Sequence, residues 1–386
     1  MNKQVYLLTI VSFVVGMAEL IIGGILDLIA IDLEVSISKA GLLITVFSLV
    51  FAIGAPLLML FTARIERKRL MLGALSLFLI SNLIAVASEN FTMLFIARII
   101  SALSGALLAV LCMVLAPAVV DKKYTGRAIG LVIMGTSASL VLGVPIGLLI
   151  GNSFGWRAPF IMIALLTAIV MVGVYLTLRK IAPTPAVPLR EQLQTLRNRP
   201  IFFIQLAMFF YLSGHLAVYA YLTPLVKTYL HFNGTWTSIV YFVFGVAAVS
   251  GGGLSGLMTD RFGSRKIILT VIVIFTSALF LLPMTFTSIP AFMMILIIWG
   301  MMSWSITPAV QSYLIEASPE TAAIQQSLNN SALHFGIAFG SFVGSIVVKE
   351  AALIQAPLAG GCLAIIALIC AFVSMKRSKA AASSIV

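Results

Sequence analysis

The run VYLLTIVSFVVGMAELIIGGILDLIA, residues 5–30, decides how the rest of the chain is read. As a helix rising 1.5 Å per residue it would be about 39 Å long, enough to cross a hydrocarbon core about 30 Å thick. It is apolar apart from a few hydroxyls and two acids, Glu19 near its middle and Asp27 near its end. A charge at bilayer depth costs roughly 2.5–3.5 kcal/mol on insertion scales, so such a residue normally faces a cavity or a partner. One ionisable residue of opposite sign, Arg98, also lies deep inside a hydrophobic run. If the two meet, the first half of the chain carries a buried acid–base pair.

Composition agrees with a membrane origin for this run. Of 386 residues, 61% are hydrophobic and 9% charged, and the mean hydropathy is +1.15. A soluble domain carries about 25% charged residues, so the chain reads as an integral membrane protein. The net charge of +12 would fit a nucleic-acid binder, but the Lys and Arg residues lie in short breaks between hydrophobic runs, where membrane topology accounts for them. Cys112, Cys362 and Cys370 all fall in apolar runs without metal-ligand spacing and read as small packing residues. Only Lys3 precedes the first run, which is too long for a signal-peptide core and lacks a small-x-small cleavage site. It is expected to remain as a helix.

Counting hydrophobic runs predicts twelve membrane-spanning helices, at 5–30, 38–61, 70–87, 91–116, 127–150, 157–178, 201–226, 236–258, 267–286, 290–314, 325–348 and 351–375. The longest polar connection, 179–200, contains Pro183, Pro185, Pro188 and Pro200 and divides the chain into a six-helix bundle at 1–178 and another at 201–386. With the N-terminus inside, the cytoplasmic segments hold 19 of the 24 Lys and Arg residues: Lys3, Arg64, Arg67, Lys68, Arg69, Lys122, Lys123, Arg127, Arg179, Lys180, Arg190, Arg197, Arg199, Arg261, Arg265, Lys266, Lys376, Arg377 and Lys379. This bias puts both termini in the cytoplasm.

The two halves repeat. Gly256-x-x-x-Asp260-Arg261-x-Gly263-x-Arg265-Lys266 follows the eighth run, and Arg64-x-x-Arg67-Lys68-Arg69 occupies the corresponding place 197 residues earlier. The same offset of 197 places Gly143 and Gly147 on Gly340 and Gly344. In transporters, such duplicated units put a solute site near the midplane and rock around it.

These segments resemble the major facilitator superfamily along the whole chain. The stretch Gly256 to Lys266 is similar to its signature loop, and Arg98 with Ser101 and Gly105 to its helix 4 motif. The run Gly135…Gly143-Val144-Pro145-Ile146-Gly147 resembles the helix 5 motif of its antiporters, and Phe154-Gly155-Trp156-Arg157-x-x-Phe160 the helix 5–6 connection of the drug:proton branch. Within that branch, five segments look like bacterial purine-base efflux pumps, relatives of arabinose and drug efflux proteins. They are Glu19 to Leu26, Glu66 to Leu70, Gly214-His215 with Tyr219-Ala220-Tyr221, Gln311 to Ile315, and Ile324-Gln325-Gln326-Ser327 with Asn329, Ser331, Ala332 and Leu333. The pattern is departed from in two places, one loop and one helix. Ala63 and Glu66 stand where the signature loop usually has Asp and Gly, and Asp27 stands where helix 1 usually has proline.

The resemblance implies an all-α fold of two pseudo-symmetric six-helix bundles around a central cavity, with helices 1 and 4 lining it. Glu19 lies roughly 21 Å along helix 1 and Arg98 roughly 11 Å in from the opposite side along helix 4, so the two reach similar depth. A carboxylate that gains and loses an arginine as the protein changes conformation changes its proton affinity, which proton-coupled antiport requires. A permanent structural ion pair is the alternative. Asp27 either joins proton handling or is a solvated acid at the outer end of the helix.

Tyr211, His215 and Tyr219 are four residues apart and share a helix face. Aromatic faces and an imidazole suit a planar heterocycle, although packing explains them too. Asn330 and His334, in register with Gln326 and next to Asn329, can read donor and acceptor patterns or simply bond between helices. Trp299 and Trp304 are candidates for the cavity wall. The ladders Gly143, Gly147, Gly151 and Gly336, Gly340, Gly344 read as close helix contacts, with Pro145 inside the first. The resemblance gives Asp260, Arg261, Gly263, Arg265 and Lys266 a latch role at the cytoplasmic surface. A solvated loop is the alternative.

No nucleotide-binding motif, metal cluster or nucleophile–base pair occurs, so neither an enzyme nor a cofactor is expected and transport must draw on a gradient, expected to be of protons. The expected activity is proton-coupled export of small planar solutes, most naturally purine bases or nucleosides, from a monomer in the bacterial inner membrane. A multidrug or sugar exporter is the alternative, and a transporter-like solute sensor a remote one.

Overall fold

The computed structural model describes residues 3–121, 124–183 and 189–383, and the side chains of all of these except Leu189, Ala323 and 377–383. Lys122, Lys123, Pro185 and Pro188 lie outside the described residues, as do the side chains of Arg377 and Lys379. Among the described residues every regular element is helical. Twelve helices are long and apolar enough to cross a membrane. They are α1 (Lys3–Asp32), α2 (Ile37–Phe61), α3 (Arg67–Val86), α4 (Phe91–Ala118), α5 (Thr125–Phe154), α6 (Ala158–Thr177), α7 (Arg199–Tyr219), α8 (Gly234–Phe262), α9 (Ser264–Thr285), α10 (Ile289–Ala317), α11 (Ile324–Glu350) and α12 (Leu353–Lys376). The count of twelve expected from hydropathy holds, and eleven of the spans lie within a few residues of their expected limits.

The seventh run is the exception. It breaks after Tyr219, and a separate short helix, Leu222–Tyr229, follows. Pro224 explains the break: it has no N–H to give the Ala220 carbonyl, and its ring would press on that group. The turn closes instead through Tyr221 N–H donating to Val218 at 3.0 Å, and the new helix starts with Leu225 N–H donating to Tyr221 at 3.0 Å. Pro145 is accommodated differently. A widened π turn, Ser139–Gly143, precedes it and α5 continues to Phe154. In α1, Ile25 leaves helical geometry at φ −109° and ψ 16°, directly after Gly23-Gly24, so Glu19 and Asp27 stand on opposite sides of a kink.

Local chemistry marks the helix starts. The Ser36 hydroxyl accepts from Lys39 N–H at 3.1 Å, the Asn90 amide oxygen from Met93 N–H at 2.9 Å, and the Asn233 oxygen from Trp236 N–H at 2.9 Å. Gly155 and Gly263 have φ of +88° and +85°, the left-handed region glycine enters without strain, and so allow the abrupt α5–α6 and α8–α9 turns.

The helices group into two compact units. One holds α1–α6 with the beginning of α8, through Phe242. Here α5 lies close on α1. A Cβ on Gly135 would strike the Thr9 carbonyl oxygen, and one on Gly143 would come within 3.2 Å of Met17. The other unit holds α7, the rest of α8 and α9–α12. In it α11 lies on α7 by the same device. A Cβ on Gly340 would overlap the Ser213 carbonyl, and one on Gly344 would sit 2.7 Å from the Ala217 oxygen. Thus the glycines related by the repeat of 197 residues make equivalent helix contacts inside their own units.

Candidate functional site

In the first unit, Arg98 of α4 is 1% exposed and reaches α1. Its Nη1 donates to the Ala18 carbonyl at 2.7 Å, and its guanidinium lies 4.0 Å from the centroid of the Phe47 ring of α2. Ala18 immediately precedes Glu19, and the Glu19 and Arg98 charges act on each other through space. The two residues singled out from the sequence therefore do come together. Helix rise brings Arg98 level with Glu19, and the small side chains of Ala18 and Ser101 leave the guanidinium room beside α1. Asp27 is separate. Beyond the kink it lines, with Glu34 and Ser36, an open cleft of about 480 Å³ at the α1–α2 connection.

In the second unit, Tyr211, His215, Tyr219 and Trp299 gather with Phe244 and Phe275. The His215 ring is stacked at 13° to Phe244 with centroids 5.8 Å apart, and lies 5.5 Å from Trp299 and 5.2 Å from Tyr219. Tyr211 is further along, against Phe275 at 4.2 Å, and its hydroxyl donates to the Met302 carbonyl at 2.7 Å. Trp299 Nε1 and His215 Nδ1 are buried without a hydrogen-bond partner, an arrangement that ordinarily costs about 1–3 kcal/mol per group. His334 is buried and Asn330 is exposed, so the expected α11 stripe does not lie on one environment.

Sequence reading noted Gln325 and Asn329 but passed over Gln205, which joins them. Asn329 Nδ2 donates to Gln205 Oε1 at 2.8 Å, and Gln205 Nε2 donates to the Gln325 carbonyl at 3.0 Å. Gln205 is a lone amide in an apolar run, and its only signal was that isolation. Asp32 was missed too. Its Oδ2 accepts from Trp156 Nε1 at 2.8 Å and from Arg157 Nη1 at 2.7 Å, while Arg157 Nη2 donates to the Ser88 carbonyl at 2.8 Å. This ties the ends of α1, α3 and α5 together.

One of the loop departures, Glu66, has a structural role. Glu66 caps α3, accepting from Lys68 N–H at 2.9 Å and Arg69 N–H at 3.2 Å, and it accepts from Ile181 N–H at 3.1 Å as well. Lys68 Nζ donates to the Tyr175 carbonyl at 2.8 Å. A glycine could not have made that anchor. In the second unit Asp260 and Arg261 are exposed, Ser264 donates to Glu316 at 2.8 Å, and Arg265 lies 5.9 Å over the Tyr313 ring.

A twelve-span chain with two such units matches the sequence profile of the Major Facilitator Superfamily over residues 8–341 and 230–385. The chain belongs to this superfamily. An MFS-type transporter of Bacillus subtilis (strain 168), YbcL, named as uncharacterized, is 35% identical over 95% of this chain and 94% of its own. A Helicobacter pylori (strain P12) protein named "Probable sugar efflux transporter" is 28% identical over 97% and 96%. Among solved structures, a bacterial homologue of the human lysosomal transporter Spinster superposes with a TM-score of 0.82 at 16% identity, covering 96% of both chains. The D-xylose–proton symporter does so with 0.77 at 17%, covering 95% of each. At these identities the structures speak to the fold alone. As a facilitator-superfamily member the protein is a multi-pass membrane transporter and not an enzyme.

Proposed function

We propose that this facilitator-superfamily protein is a proton-coupled antiporter that exports a small uncharged solute by alternating access, with Glu19 as the proton carrier and Arg98 as its switchable partner. The observation that carries the reading is the Arg98–Ala18 hydrogen bond, which fixes a buried guanidinium beside a membrane-depth carboxylate. The carbonyl bond keeps Arg98 beside α1 when Glu19 takes up a proton, and loss of the carboxylate's charge then leaves the buried guanidinium without a counter-ion, which favours a change of conformation. The positive-inside bias supports cytoplasmic termini in a bacterial cytoplasmic membrane.

Purine bases or nucleosides are the leading cargo. The cluster of His215, Tyr219, Phe244 and Trp299 offers ring faces with two unsatisfied polar edges and contains no carboxylate, ammonium or guanidinium group. That suits a neutral heterocycle. Sugar efflux is the second reading, favoured by the name of the Helicobacter pylori relatives. Aromatic faces also cover the apolar side of a sugar ring. Uptake into everted vesicles under an imposed proton gradient separates the two, using labelled hypoxanthine in one arm and labelled arabinose in the other. Gradient-dependent hypoxanthine uptake is expected. Arabinose uptake alone would transfer the cargo to the second reading. In the same vesicles Glu19→Gln should retain solute exchange and lose gradient-driven accumulation, and unchanged accumulation would overturn the coupling role.

A further inference from the structure

A groove on the first unit, away from Glu19 and Arg98, has the shape and chemistry of a ligand site. It is about 360 Å³ and is lined by Leu58 of α2, by Arg69, Leu70, Gly73 and Leu77 of α3, and by Leu103, Ser104 and Leu107 of α4. From Arg69 at the head of α3 to Leu77 two turns deeper is about 12 Å. The wall is hydrocarbon. Its one hydroxyl, Ser104, already donates to the Ile100 carbonyl at 2.8 Å. No buried side-chain polar atom among the described lining residues is left unpaired. The mouth is the reverse: Arg69 is exposed there, at the start of the span beside its loop.

The groove is kept open by a glycine. Nothing lies within 4 Å of where a Cβ on Gly73 would stand, so this position opens onto vacant space and does not cradle a neighbouring helix. Gly340 in the second unit, by contrast, packs directly on backbone. An unfilled apolar channel with an exposed guanidinium at its mouth matches one class of molecule.

We propose that this groove binds an anionic phospholipid, with one acyl chain along Gly73, Leu77 and Leu107 and the phosphate at Arg69. The alternative occupant of an apolar membrane groove is any acyl chain regardless of headgroup. Charge decides between them: a juxtamembrane cation attracts an anionic headgroup by about 1 kcal/mol, or roughly fivefold in affinity, and a zwitterionic one much less.

The test uses the delipidated full-length protein in detergent, with thermal unfolding followed as dioleoyl phosphatidylglycerol or dioleoyl phosphatidylcholine is added. A ligand that binds the folded state raises the unfolding temperature in proportion to occupancy. Phosphatidylglycerol should raise it more than phosphatidylcholine does. Arg69→Ala should weaken the phosphatidylglycerol response about fivefold and bring the two lipids level, with Arg69→Lys retaining most of the preference. Gly73→Leu fills the channel without meeting a neighbour, so it should fold normally and lose the response to both lipids. Native mass spectrometry of the same preparations reads the bound lipid directly and keeps the test valid if a variant shifts basal stability. Equal responses to the two lipids in the unmodified protein, or an intact response in Gly73→Leu, would overturn the assignment.

Discussion

Arg98 and Ala18 are joined by a hydrogen bond of 2.7 Å from a guanidinium to a helix carbonyl, one residue before Glu19. The backbone of α1 therefore holds the arginine independently of the carboxylate's protonation. The same guanidinium lies 4.0 Å from the centroid of the Phe47 ring, and a lysine ammonium could not keep this contact and the carbonyl bond with the same planar, delocalised group. Arg98→Lys should accordingly lose a hydrogen bond to a charged group, worth about 1.5–3 kcal/mol. Its unfolding temperature should fall, and gradient-driven transport should fall further than solute exchange. Exchange and gradient-driven transport declining in parallel would mean that Arg98 is structural only.

The Gln205–Asn329 bond is the most readily isolated polar contact in the second unit. Gln205→Leu strands the Asn329 amide in a buried site and should destabilise the protein by about 1–3 kcal/mol. The paired change with Asn329→Leu removes both partners and should cost less than the sum of the two single changes. A thermal double-mutant cycle in detergent checks this, and strict additivity would show that the two amides do not support each other.

The elements that could be read from sequence were those carried by period and composition. Twelve spans follow from hydropathy, and the Glu19–Arg98 pairing follows from counting helix rise from opposite sides. The break at Ala220 was visible in Pro224 but was overridden by the continuous apolar run from Ile201 to Val226. What stayed hidden depends on contacts between distant segments. Asp32 meets Trp156 and Arg157 across more than a hundred residues, and Gln205 meets Asn329 across a similar gap. Helical period places a residue on a face and is silent about what another helix brings to it. The aromatic cluster was half legible: spacing aligned Tyr211, His215 and Tyr219, while Phe244 and Phe275 carried no sequence mark.

The glycine ladders give a prediction of opposite signs. A methyl group on Gly340 would collide with the Ser213 backbone, which cannot swing aside as a side-chain end can. Gly340→Ala should therefore cost roughly 1–3 kcal/mol through overpacking. Gly253, in α8 of the same unit, has nothing within 4 Å of its Cβ position. Gly253→Ala should be neutral or stabilising by up to about 1 kcal/mol, from helix propensity alone. Unfolding temperatures of the two variants, measured in one detergent, give the comparison. Equal losses would contradict the packing described here.

Glu66 supplies the pH dependence. Burial by itself would raise its carboxyl, but the backbone amides of Lys68, Ile181 and Arg69, with the Arg69 charge, hold it below the usual carboxylate value. A carboxyl depressed on folding contributes stability that is present above its unfolded value, near pH 4.3, and is lost as the pH falls through the lower folded value. Glu66→Gln keeps an acceptor and removes the charge. Its deficit relative to the unmodified protein should thus be largest at neutral pH and shrink below about pH 4. Because Glu66 also holds the Ile181 amide, the exposed bonds after Arg179 and Lys180 should be cut faster by trypsin in Glu66→Ala. Unchanged cutting, together with a deficit that does not vary with pH, would show that the α3 cap does not anchor the segment after α6.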